Sequence, residues 1–112
     1  MALTSFANDG WELEDVETHL RNYAGTFEPL PVEVRSSLQP GQHVKLAFRM
    51  AVGEGNQEAM ERMWVAVTRR TATGYEGVLD NDARYADYMT AGAEVSFEAR
   101  HVIQIWTEVT KQ

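Results

Sequence analysis

Arg62-Met63-Trp64-Val65-Ala66-Val67-Thr68-Arg69-Arg70, followed by Thr71-Ala72-Thr73-Gly74 and then Tyr75-Glu76-Gly77-Val78-Leu79-Asp80-Asn81-Asp82, is the stretch that decides the fold. Its two arms alternate and are rich in residues that suit a pleated surface, and the four small residues between them tolerate a turn. The stretch is expected to form a β-hairpin that ends in an acidic turn.

Working outward from it, Val44, Leu46, Phe48 and Met50 alternate with Lys45, Ala47 and Arg49, which predicts a strand from His43. Further strands are expected over Met60–Arg69, Tyr75–Leu79, Glu94–Phe97 and Val102–Val109. Pro40-Gly41 and Ala91-Gly92 each stand just ahead of a strand, and each glycine is expected to take a turn conformation that other residues resist. Gly53 to Ala59 reads as an exposed loop.

Upstream, Leu13, Val16, Leu20 and Tyr23 recur at helical spacing, so one long helix is predicted over Trp11–Tyr23, capped by Asn8 or Asp9 and ended by Gly25. Pro31 is expected to begin a short helical turn that runs to Leu38. Trp64 is out of phase with Met63 and Val65, and Trp106 with Ile103 and Ile105, so strands two and five carry bulk on both faces. The helix is expected to cover the tryptophan side with Leu13, Val16 and Leu20. The fold class is therefore α+β: a small curled antiparallel sheet or partly open barrel of about five strands, preceded by one long and one short helix. At 112 residues the chain forms a single domain over 1–112, with a helical N-terminal segment at 1–40 and a β-rich body at 41–112.

Phe27-Glu28-Pro29, Leu38-Gln39-Pro40-Gly41-Gln42-His43-Val44-Lys45-Leu46-Ala47-Phe48, Arg62-Met63-Trp64-Val65-Ala66-Val67-Thr68, Tyr75-Glu76-Gly77-Val78-Leu79-Asp80-Asn81-Asp82, Gly92-Ala93-Glu94-Val95-Ser96-Phe97 and His101-Val102-Ile103 together resemble a bacterial family, domain of unknown function 2314. The likeness runs from Thr26 to Ile105, and the Met-Trp-Val strand and the Gly-Val-Leu-Asp-Asn-Asp turn are its most specific pieces. Where that family commonly has proline after Asn-Asp, this chain has Ala83 and a longer Arg-Tyr-Ala-Asp-Tyr segment. The resemblance implies a compact β-rich bacterial domain and brings no activity, cofactor or catalytic residue with it.

A formal charge of −7 opposes attraction to nucleic acid and to anionic membranes and favours a basic protein partner. The acidic excess is concentrated early, in Asp9, Glu12, Glu14, Asp15, Glu17, Glu28 and Glu33. With no cysteine there is no disulfide framework and no thiolate chemistry, and neither a leader nor an apolar run of the ~20 residues that would span a bilayer is expected. A cytoplasmic location is expected.

Asp80, Asn81 and Asp82 with Asp87 offer oxygen ligands of the kind hard cations take. An EF-hand would need an oxygen donor and then glycine where Arg84 and Tyr85 stand, and short polar side chains also bond backbone at turns, so a turn is expected and no metal or other cofactor. His19, His43 and His101 are not spaced for zinc, and no serine sits in a nucleophile elbow. Catalytic residues are not assigned. Arg62, Trp64, Arg84, Tyr85 and Tyr88, with Asp80, Asn81 and Asp82, form a candidate partner-binding surface, because tyrosine, tryptophan and arginine are the types enriched at interface hot spots. The expected function is a non-enzymatic protein-binding module, in one form a toxin-neutralising immunity protein whose acidic surface blocks a basic cleft. The alternative is a small-molecule-binding or enzymatic barrel with its site near Asp80–Tyr88.

Overall fold

The hairpin forms as expected. In the computed structural model, which describes residues 3–23, 28–53 and 57–106, Glu58–Arg70 (β3) and Tyr75–Leu79 (β4) pair antiparallel, and Thr71 N–H donates to the Gly74 carbonyl at 2.8 Å to close the turn. His43–Ala51 (β2) pairs with β3 along its full length, and Glu94–Phe97 (β5) pairs with β4. Trp11–Leu13 (β1) and Val102–Ile105 (β6) both add to the free edge of β2. The result is a curled antiparallel sheet of six strands, ordered β1-β2-β3-β4-β5 with β6 beside β2, and three short helices lie ahead of β2: Phe6–Asp9 (α1), Val16–Asn22 (α2) and Val32–Arg35 (α3). The class is α+β, a half-barrel.

The long helix over Trp11–Tyr23 is corrected. Ser5 caps α1 and Gly10, at φ 80°, ends it, so the chain is extended by Trp11. Trp11 and Leu13 have strand spacing and both enter the core, while Glu12 between them points to Arg49. Helical periodicity begins only at Val16, after Asp15 accepts from Glu17 N–H as the N-cap. Two apolar periods, one of two residues and one of 3.6, had merged into a single apparent helical face. Gly25 lies outside the described residues.

The inner face of the sheet is apolar throughout. Val44 and Leu46 oppose Val65 and Met63, Leu13 opposes Phe48, and Trp11 meets the Phe48 ring at 5.6 Å. Tyr75 stacks on Phe97 at 5.2 Å and donates its hydroxyl to the Arg35 carbonyl, which fastens the end of α3 over the same core. Gly41 and Gly92 have φ values of 96° and 94°, the left-handed turn conformation expected ahead of β2 and β5.

The outer face is covered along one strip. Val16 of α2 packs on Ala47 and Ile103, with Met60 beside them. Leu13 is not part of that cover, since its strand turns it inward. Ile103 also departs from expectation: the register of β6 against β2 shifts between Lys45 and Leu46, so Ile103 faces outward to Val16 while Val102 and Ile105 face the inner core. Trp64 and Trp106 do share this outer side, half-buried, with ring centroids 4.7 Å apart. Among the described residues no helix is long and apolar enough to cross a membrane.

Candidate functional site

The eight residues expected to form one surface fall on the two sides of the sheet. Alternation along β3 turns Met63, Val65 and Val67 inward and Arg62 and Trp64 outward, where Arg62 meets His19 of α2. The chain from Asp80 to Met89 instead closes the inner side, where Ala86 and Met89 are buried in the main core. Arg62 and Trp64 are thus separated from Arg84, Tyr85 and Tyr88 by the thickness of the sheet.

Asp80–Met89 is held at several points despite having no regular structure. Asp80 N–H donates to the Trp64 carbonyl at 2.9 Å, and its carboxylate lies 3.6 Å from His43 Nε2. Asn81 donates its amide to the Asp82 carbonyl, and Asp82 Oδ1 accepts from Ala91 N–H at 2.9 Å, which ties the two ends of the loop together. Arg84 N–H lies within bonding distance of both Glu61 carboxylate oxygens, at 2.9 and 3.1 Å. Tyr88 hydroxyl reaches the Ala51 carbonyl at 2.8 Å and the Gly10 carbonyl at 3.0 Å. Burial first, and then the neighbouring Asp87 carboxylate, raise the Tyr88 pKa.

What this frame presents is an acidic aromatic surface. Tyr85 is 53% exposed and Tyr88 47%, and the Arg84 guanidinium lies 6.0 Å from the Tyr85 ring. Asp82 and Asp87 are exposed beside them, as is Asp9, next to the Gly10 that Tyr88 reaches. Arg84, Tyr85, Asp87 and Tyr88 face Ala51, Val52 and Gly53 across a cleft of about 550 Å³. Neither Asp82 nor His101 lines it. Among the described residues, no group of three or more His, Asp or Glu is placed to hold a metal ion.

The outer side carries a polar chain that the sequence did not disclose. His19, fully buried, has Nδ1 2.6 Å from Glu14 Oε1 and accepts from Arg62 Nε at Nε2, 2.9 Å away. Accepting from arginine fixes the neutral tautomer with its proton on Nδ1, donated to Glu14. The Tyr23 ring lies against the His19 ring, tilted by 34°, with centroids 4.7 Å apart. Next to this chain Lys45 Nζ lies 4.8 Å over the Trp64 ring, and its pKa is lowered by burial and then by the Arg62 charge. The only early signal was that His19, three residues after Val16, shares the buried face of α2.

The early acidic run is largely occupied. Glu12 accepts from Phe6 N–H and pairs with Arg49, Glu14 holds His19, and Asp15 caps α2 and lies 3.5 Å from Arg100. Among the described residues Glu17 is the member of Glu12, Glu14, Asp15 and Glu17 whose carboxylate has no such internal role.

Compared with protein-family models, with curated proteins and with solved structures, the chain matches none. The resemblance of Thr26–Ile105 to domain of unknown function 2314 therefore rests on the quoted motifs alone.

Proposed function

We propose that the protein is a non-enzymatic binding module that engages a basic protein partner through the surface of Asp80–Met89. The observation that carries this reading is the contrast within that loop: Ala86 and Met89 are buried in the core while Tyr85 and Tyr88, between and beside them, remain about half exposed. Aromatic side chains held on a fixed frame lose little entropy on binding, and they are the usual anchors of interfaces. The exposed carboxylates of Asp9, Asp82 and Asp87 around them complement a basic surface, as does the net charge of −7. A cytoplasmic setting and a toxin-neutralising role, in which this surface covers a basic cleft, are the concrete form of the proposal.

The test is capture of the partner from the native cell extract with the intact protein as bait, followed by binding kinetics across a salt series. Tyr85→Ala is expected to speed dissociation about tenfold or more, as loss of an anchor does, and Asp82→Asn with Asp87→Asn to slow association. Kinetics indifferent to salt, to Tyr85→Ala and to the aspartate changes would sink the reading. Arg62 and Trp64 on the other side of the sheet serve as the control positions.

A further inference from the structure

The sheet leaves a seam. Among the described residues β5 pairs only with β4 and β1 only with β2, and the 3-10 turn Ala99–His101 carries the chain from β5 back to β6. Along this seam lies a cavity of about 170 Å³, with Leu3 and Leu13 as its apolar wall and Thr4, Ser96, Arg100, His101 and Glu12 as its polar one.

The polar wall is rich in donors. His101 is 2% exposed, and its Nδ1 accepts from Glu98 N–H at 2.9 Å, so the neutral ring carries its proton on Nε2. That N–H has no protein acceptor among the described residues, and Ser96 Oγ is buried with no hydrogen-bond partner. A buried hydroxyl such as that of Ser96 is costly to leave without a partner. Arg100 adds positive charge, its Nε on Glu98 and its Nη1 toward Asp15. Glu12, also in the wall, accepts from Phe6 N–H on one oxygen and from Arg49 on the other, each at 3.1 Å.

We infer that the seam cavity binds a short-chain aliphatic monocarboxylate, its carboxylate toward Ser96, Arg100 and His101 and its alkyl group against Leu3 and Leu13. A cavity of ~150 Å³ holds benzene, so one of this size takes about six heavy atoms, the size of butyrate. A phosphate dianion fits less well: Glu12, Glu98 and Asp15 surround the site with negative charge, and phosphate has no use for the leucines. The site is separate from the Asp80–Met89 surface and stands without it.

Titration of the intact protein with butyrate at neutral pH, followed by amide chemical shifts, tests the assignment. Saturable shifts are expected at Ser96, Arg100 and His101, with binding about tenfold weaker in Ser96→Ala and in Arg100→Gln, the loss of one charge-assisted hydrogen bond. Butyramide supplies a check that needs no variant and is expected to bind far more weakly on the wild-type protein. Absence of a saturable shift, phosphate binding as tight as butyrate, or equal binding of amide and carboxylate would each overturn it.

Discussion

On the inner side of β2 and β3, Val44, Leu46, Phe48, Met50, Met63, Val65 and Val67 are almost fully removed from water. On the outer side of the same two strands stand Lys45, Ala47, Arg49, Met60, Arg62 and Trp64, and only Ala47 is fully buried. The inner side is held by apolar burial, which is indifferent to orientation. The outer side depends on directional contacts: Glu14 to His19 to Arg62, Lys45 over Trp64, Glu12 to Arg49. A seven-residue helix such as α2 is marginal alone, and Val16 and His19 supply the tertiary contacts that keep it in place. From this contrast, apolar packing is expected to tolerate exchange of similar groups, and the buried polar chain to fail as a unit when one member is removed.

The largest test of that contrast is Phe48→Ala, expected to cost ~3–5 kcal/mol in urea unfolding through lost burial and the cavity it leaves. Phe48→Leu, which keeps most of the volume, should cost much less. His19→Leu is expected to cost ~3 kcal/mol although it is apolar and similar in size, because it strands the Glu14 carboxylate and the Arg62 Nε–H. If His19→Leu proves as mild as Phe48→Leu, the two sides do not differ in the way described.

Acid separates the sides further, through a histidine of the seam. Burial first, and then the Arg100 charge, push His101 from 6.5 down to about 4, against the opposing pull of Glu98 and Asp15. In the unfolded chain it binds a proton near pH 6.5, whereas the folded protein refuses that proton until about pH 4. Its contribution is therefore complete above pH 6.5 and lost as pH falls toward 4, by ~3 kcal/mol. Stability measured from pH 7 to 4 should fall more steeply in the wild type than in His101→Gln, and parallel curves would refute the assignment.

Smaller effects sharpen the contrast. Tyr88→Phe removes the hydroxyl that reaches the Ala51 and Gly10 carbonyls and should cost ~1 kcal/mol, with little change in the core. Lys45→Met is expected to change stability by no more than ~0.5 kcal/mol, and in the stabilising direction, since it relieves repulsion with Arg62 while leaving an apolar side chain over Trp64. A clear loss of melting temperature in Lys45→Met would mean that its contact with Trp64 outweighs that repulsion.

How much could be read in advance differed by region for physical reasons. The β3–β4 hairpin, the strand at Glu94–Phe97 and the turns at Gly41 and Gly92 were legible, because alternation and turn chemistry are local. Residues 11–23 were misread as one helix, since Leu13, three residues before Val16, extends the helical stripe by coincidence of spacing, and only the pairing of Trp11 and Leu13 with Met50 and Phe48 shows them to be a strand. The candidate surface was half legible: Arg84, Tyr85 and Tyr88 do stand together, but Arg62 and Trp64 lie on the outer side, Arg62 on His19 and Trp64 beside Trp106. Residue types signal an interface anchor, and they do not say which side of a sheet a distant loop will cross.

By itself, then, the sequence determined the α+β class, the register-bearing alternation of β2 through β5 and the acidic balance of the surface, because each of these follows from neighbours within a few residues or from composition. The tertiary structure alone decided that Glu14, His19 and Arg62 form one chain, that Ile103 turns outward at a register shift, and that Ser96 meets His101 along an open seam. Those contacts join residues 43 apart in the case of His19 and Arg62. Partners so distant are chosen by how the sheet curls and where its strands end, which no local pattern encodes.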